Sequence, residues 1–166
     1  TLDKIEIIVL GGTFSSYPRN YQEEFIRDLF FAANTFNTGY SRNAFSLYEE
    51  KKINESAEKK IIGISLETRP DSITQYELRR FRRLGCTRIQ IGVQHTDNDI
   101  LNKINRGHTI EQSIKAIRQI KEAGFKIDIH IMPDLPGATP EGDKKMIKSI
   151  LTEEEFQPDY LKLYPC

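Results

Sequence analysis

The chain has 166 residues, with 24 Lys plus Arg against 24 Asp plus Glu, so its formal charge is zero. That length suits one domain with a real core, and the charge balance leaves nucleic-acid binding to a local patch, not to the whole surface. No apolar run reaches a membrane span, no secretion leader opens the chain, and Cys86 and Cys166 are too few for a disulfide framework or a protein-only metal site.

A cytoplasmic protein with no membrane partner is therefore expected. Strands and helices alternate, which is the order of parallel βα units. The first strand is Ile5–Leu10, followed by a Gly11-Gly12-Thr13 turn and a helix over about Tyr21–Ala33. Asn34–Gly39 breaks that helix, and a polar helix is expected over about Arg42–Lys59. The second strand, Ile61–Leu66, runs into Glu67-Thr68-Arg69-Pro70. Its helix starts after Pro70-Asp71-Ser72, buries Leu78, Phe81 and Leu84, and stops at Gly85.

The third strand, Thr87–Val93, ends in Gln94-His95. Thr96 or Asp97 caps a short helix to Lys103, and Thr109 with Gln112 reads as a capping box for Ile110–Ala123. The fourth strand, Phe125–Ile131, meets Met132-Pro133-Asp134-Leu135-Pro136-Gly137. A last helix runs from Thr139-Pro140-Glu141 to about Leu151, and Tyr160–Tyr164 forms a fifth strand. Both chain ends read as cut, so a piece of a larger protein is expected.

The strands alternate in an unusual way. Strands buried on both faces usually read as continuous apolar runs. Here Ile89, Ile91, Val93 and Ile127, Ile129, Ile131 define one face, and Ile62, Ile64 and Leu66 fall with them. The other face carries Gly63, Ser65, Glu67, then Arg88, Gln90, Gly92, Gln94, then Lys126, Asp128, His130, Met132. A wall that polar needs water, ion pairs or a ligand. The fold expected is a partial (βα) barrel with helices outside, whose polar ligand sits at the carboxyl ends of the strands.

Each candidate has a structural alternative. Gly11-Gly12-Thr13 lets the backbone approach a ligand, or simply makes a tight turn; it is neither a Walker loop nor a dinucleotide fingerprint. Glu67 suits an ammonium or a ribose, or else pairs with Arg69 or Arg106. Gln94 with Arg106 suits a carboxylate and hydroxyl ligand, or caps and pairs locally. His130 faces inward as a ligand contact or a hydrogen-bonded core histidine; Met132 packs on a ring or fills a gap. Arg79, Arg80, Arg82 and Arg83 read as a solvated helix face rather than an RNA stripe.

Several strings occur together in one order: Leu10-Gly11-Gly12-Thr13-Phe14, Glu67-Thr68-Arg69-Pro70-Asp71, Gly85-Cys86-Thr87-Arg88, Ile91-Gly92-Val93-Gln94, Asn105-Arg106-Gly107-His108-Thr109, Met132-Pro133-Asp134-Leu135-Pro136 and Leu161-Lys162-Leu163-Tyr164-Pro165. As a set they resemble the radical S-adenosylmethionine (SAM) domain of the Elongator catalytic subunit family, the tRNA uridine acetyltransferases. The resemblance covers nearly the whole chain and implies a partial TIM-like barrel that works with SAM and a 4Fe-4S cluster. It also implies acetyl-CoA as co-substrate and tRNA as substrate, with other Elongator subunits or a second copy as partners. The implied chemistry is hydrogen abstraction from an acetyl group after reductive SAM cleavage, then attachment to the wobble uridine.

By position, the resemblance puts Gly11, Gly12 and Thr13 at the methionine amino group. Glu67, Gln94 and Arg106 fall on the ribose and carboxylate, and His130 and Met132 along the adenosine. Lys4 corresponds to a lysine implicated in acetyl-CoA contact, and Lys162 and Tyr164 to last-strand positions near acetyl-CoA or uridine. The family's three cluster-binding cysteines are absent and belong upstream of Thr1; the acetyltransferase domain is absent as well. Residues 1–166 are thus expected to be a radical SAM core fragment, inactive alone. The alternatives are a tRNA- or partner-binding module without radical chemistry, histone acetylation, for which no residue speaks, and porphyrinogen oxidation, against which the Met132–Pro136 and Leu161–Pro165 strings speak.

Overall fold

The computed structural model describes residues 3–36 and 42–166. Five strands form one parallel sheet in sequential order: β1 (Lys4–Val9), β2 (Lys60–Thr68), β3 (Arg88–Gln94), β4 (Lys126–Ile131) and β5 (Tyr160–Leu163). Between them run α1 (Arg19–Thr35), α2 (Leu47–Asn54), α3 (Gln75–Leu84), α4 (Asn98–Lys103), α5 (Ile110–Glu122) and α6 (Pro140–Thr152). The sheet curls into a half-barrel with the helices around it.

The aliphatic face of the sheet and the helices share one core. Ile89, Ile91, Val93, Ile127, Ile129 and Ile131 are wholly buried there, against Ile26 and Phe30 of α1, Leu78 and Phe81 of α3, and Ile117 and Ile120 of α5. Each such side chain contributes about 1.5–3 kcal/mol by leaving water. Helix ends follow their local chemistry. Thr74 and Thr139 accept first-turn N–H groups, Thr109 and Gln112 form the expected capping box, and Gly85 takes φ 91 at the end of α3.

Register puts the polar residues side by side. Glu67 pairs with Gln90, Gln90 with Asp128, Gly92 with His130, and His130 with Lys162. Glu67, Gln90 and Asp128 thus stand in one row across the concave face, and His130 and Lys162 in the next.

Three expectations need correction. The polar helix is shorter than 42–59: Ser46 and Glu49 form a capping box, so α2 begins at Leu47. The preceding Arg42 turns its guanidinium onto the Glu50 carboxylate at 2.5 and 2.8 Å. Ile62 does not share the core face; it is the extra residue of a bulge between Ile61 and Gly63 and is 52% exposed. In β1 the concave face is mixed: Glu6 pairs with Arg88 at 3.2 Å, whereas Ile8 and Leu10 beyond it are largely exposed. The break expected at Asn34–Gly39 lies partly outside the described residues.

Candidate functional site

The strand ends converge at one rim. Gly11 and Gly12 have φ 125 and 102, conformations that favour glycine, and no atom lies within 4 Å of where their Cβ atoms would stand. Glu67 Oε2 accepts their N–H groups at 3.3 and 3.5 Å. The Ser15 and Thr68 hydroxyls, 3.1 Å apart, tie the turn that follows to the end of β2. Glu67 pairs with neither Arg69 nor Arg106. Arg69 instead grips Asp71 with two bonds of 2.9 and 2.8 Å and donates to the Arg106 carbonyl at 3.1 Å.

Gln94 and Arg106 meet over Gly92. Arg106 Nη2 donates to the Gly92 carbonyl at 3.3 Å. A Cβ on Gly92 would collide with Arg106 Nη2 and Gln94 Nε2, so the glycine makes room for both side-chain ends. Gln94 Oε1 and Arg106 Nε are buried and have no hydrogen-bond partner among the described residues. Burial lowers the Arg106 pKa, the nearby Arg69 cation lowers it further, and Asp71 and Glu67 oppose both. Two crowded cations and an orphaned amide acceptor form a cradle for a ligand with an anionic end and hydroxyls.

His130 lies one row along, 7% exposed, with Nε2 3.8 Å from Asp128 Oδ1 and the Tyr164 ring centroid 5.6 Å from its own. Burial pushes the imidazole below its ordinary pKa and Asp128 only partly offsets this, which favours the uncharged ring. Lys162 Nζ lies 3.3 Å from the other Asp128 oxygen. Half-buried Met132 donates its N–H to the Gln94 carbonyl at 2.8 Å, which joins the ends of β3 and β4.

The rim thus gathers Gly11, Gly12, Glu67, Gln94, Arg106, His130 and Met132, with Thr13 beginning the short 3-10 turn at Phe14–Ser16. Lys4 is not among them: it opens β1 at the opposite end of the sheet. Two of the α3 arginines are held locally, while Arg79 and Arg83 are exposed. Arg82 stacks on Phe125, with 3.8 Å to the ring centroid, and Arg80 binds Glu77 and Gln22. Gln90 is fully buried and neither of its amide atoms has a partner among the described residues. The alternation put Gln90 and Asp128 on this face but gave no reason to single them out. His95, at the exit of β3, comes within 3.4 Å of Asp143 on α6, a contact without sequence signal because it depends on how α6 packs against that exit.

Residues 2–150 match the family described as the Radical SAM superfamily, and the chain belongs to that superfamily. It is 43% identical over 164 residues to the tRNA uridine(34) acetyltransferase of Methanocaldococcus infernus, covering 99% of this chain and 30% of that protein. With human Elongator complex protein 3 the identity is 40% over 165 residues, covering 99% of this chain and 29% of the relative. The chain therefore spans about 30% of the length of the curated relatives it matches. Among solved structures, an archaeal M. infernus Elp3 lacking its N-terminal segment superposes with a TM-score of 0.92 at 43% identity, covering 99% of this chain and 37% of that one. Coproporphyrinogen III oxidase from Escherichia coli shares the fold at a TM-score of 0.62 and 17% identity, over 99% of this chain and 44% of that one. Superfamily membership implies SAM and a 4Fe-4S cluster.

Proposed function

We propose that this chain is the SAM-binding core of an enzyme that builds an acetyl-derived group, taken from acetyl-CoA, onto the wobble uridine of tRNA. The observation that carries the reading is the cradle over Gly92, where Gln94 Oε1 and Arg106 Nε are buried without hydrogen-bond partners among the described residues. The 43% identity to a tRNA uridine(34) acetyltransferase supports the substrate.

The rim residues fit a ligand with an ammonium, a carboxylate and a ribose. Gly11, Gly12 and Thr13 receive the methionine amino group, whose positive charge suits the neighbouring Glu67 carboxylate. Glu67, Gln94 and Arg106 take the ribose hydroxyls and the carboxylate. Neutral His130 and the Met132 thioether lie along the adenosine, where they add contact without a charge. With SAM held here and a 4Fe-4S cluster supplied by other sequence, one-electron reductive cleavage of SAM would provide the radical that abstracts hydrogen from carbon; the part of these residues would be to orient, neutralise and exclude water.

The residues present do not fit the cluster. Among the described residues no three His, Cys, Asp or Glu are placed to hold a metal ion. Cys86 is buried and Cys166 exposed. The thiolates come from sequence outside this chain, in the order Cys-rich segment, then residues 1–166 as one radical SAM core, then an acetyltransferase domain. The 166 residues alone are inactive as a catalyst. Lys4 serves acetyl-CoA rather than SAM, as its place at the far end of β1 allows. tRNA, other Elongator subunits or a second copy are the partners, and the cytoplasm is the location. Among the described residues, no helix is long and apolar enough to cross a membrane.

The test uses the complete gene product that contains this sequence. Glu67→Ala and Arg106→Ala are expected to abolish deoxyadenosine release from SAM and wobble-uridine modification in cells dependent on that gene. Normal modification in either variant contradicts the reading. Salt-sensitive tRNA binding with no SAM cleavage, even in the unaltered protein, would leave a tRNA-binding module instead.

A further inference from the structure

His95 follows Gln94 directly, yet it is 2% exposed and lines the groove between α5 and α6. Its Nδ1 accepts the Asp97 N–H at 3.0 Å, so the ring carries its proton on Nε2. Nε2 stands 3.4 Å from Asp143 Oδ1, close enough to pair, although no hydrogen bond closes there and neither atom has a hydrogen-bond partner among the described residues. An orphaned donor therefore stands beside an orphaned acceptor. The other Asp143 oxygen accepts the Asp134 N–H at 2.8 Å.

One carboxylate of α6 thus joins the exit of β3 to the exit of β4. Both exits are bent: Gln94 has φ 70 and Asp134 φ 65, which non-glycine residues seldom adopt. Such backbone persists where its surroundings over-determine it. The His95 N–H closes a tight turn on the Val93 carbonyl at 2.9 Å, and the Gln94 carbonyl holds the Met132 N–H at 2.8 Å.

We propose that His95 and Asp143 are positioning residues, a buried imidazole–carboxylate clasp that holds Gln94 and the 132–137 turn in the geometry a rim ligand meets. The ligand part rests on the reading of the rim as the SAM site; the clasp itself does not. Neither side chain touches the ligand. They act through Gln94 and Met132, whose positions depend on the two bent exits staying locked together.

Residue-resolved NMR of this chain tests it. The imidazole nitrogen shifts of His95 are expected to show the proton on Nε2. Asp143→Ala should speed amide exchange at Met132 and Asp134 by about tenfold or more while Ile91 and Ile129 keep their rates. Asp143→Asn, which can satisfy only one of its two donors, should fall between. His95→Gln keeps an N–H near the Nε2 position and should restore protection that His95→Ala loses. A proton on Nδ1, or unchanged exchange at Met132 in both alanine variants, overturns the clasp. A uniform rise in exchange at every amide overturns it too, since that is mere destabilisation. In the complete gene product that contains this sequence, SAM affinity should fall about tenfold in His95→Ala; altered exchange with unaltered affinity overturns the ligand-positioning role. If the unaltered complete gene product shows no SAM affinity, the SAM reading fails and the exchange data still decide the clasp.

Discussion

Arg106 lies across Gly92: its Nη2 donates to the Gly92 carbonyl at 3.3 Å, and its end shares with Gln94 the space a Cβ would need. Both obstructing atoms are tips of flexible side chains, so the backbone can absorb a methyl group but the cradle cannot. Gly92→Ala is expected to fold with a melting temperature near that of the unaltered chain. SAM affinity, measured by calorimetry, should fall by about tenfold or more, ~1.4 kcal/mol. Affinity unchanged in a folded Gly92→Ala would show that the ligand does not use Arg106 and Gln94 together.

Glu67 ties the Gly11-Gly12 turn to the end of β2 through two long, exposed bonds. Net bonds of this kind contribute about 0.5–1.5 kcal/mol each in favourable cases, and exposure lowers that. Glu67→Gln should therefore cost little stability while removing the charge that faces the ligand's ammonium. A large drop in melting temperature, with affinity preserved, would make Glu67 a structural residue only.

Glu50 is the most strongly held carboxylate away from the rim. It is fully buried and takes both Arg42 bonds, the Asn34 amide and the Phe45 N–H. The Arg42 hydrogen bonds lead in lowering its pKa to about 2, against burial, which raises it. A depressed carboxylate contributes stability that is present above its unfolded value of 4.5 and is lost as pH falls toward 2. Denaturant midpoints should drop over that window, and Glu50→Gln should flatten the drop. At pH 7 Glu50→Ala should destabilise by about 2–3 kcal/mol, below the cost for a wholly buried pair because Arg42 retains some solvent. An unaltered pH profile in Glu50→Gln would contradict this.

The two cysteines should react very differently. Cys86 is 1% exposed, donates its S–H to the Arg88 carbonyl at 3.0 Å, and burial pushes its thiol up to about 12. Cys166 is exposed. At pH 8 the folded chain should show one fast thiol toward a disulfide reagent and a second only after unfolding. Two fast thiols would mean that the β2–β3 core opens readily.

The strand pattern was legible because side chains alternate with period two: Glu67, Gln90, Asp128 and His130 fall on the concave face as their spacing requires. Ile62 escaped because a one-residue bulge reverses the facing of everything before it, and periodicity does not register an unpaired residue. The start of α2 was misplaced because Arg42 to Phe45 have adequate helix propensity, whereas the Ser46–Glu49 capping box and the Arg42–Glu50 pair decide where the helix begins. Spacing offers Glu67 two arginines, and both find other partners, Asp71 and the Gly92 carbonyl. Choices among long side chains of like reach depend on packing, which no linear spacing records.

Every role proposed for the carboxyl-end rim depends on its being the SAM surface. SAM titrated into the nitrogen-labelled complete gene product that contains this sequence tests this directly, read as backbone amide shifts. The predicted result is a saturable set of shifts at Gly11, Gly12, Gln94, Arg106 and Met132, with Lys4 and the arginines of α3 unmoved. Shifts centred on Lys4 or α3, or none at any SAM concentration that the solution holds, would contradict it.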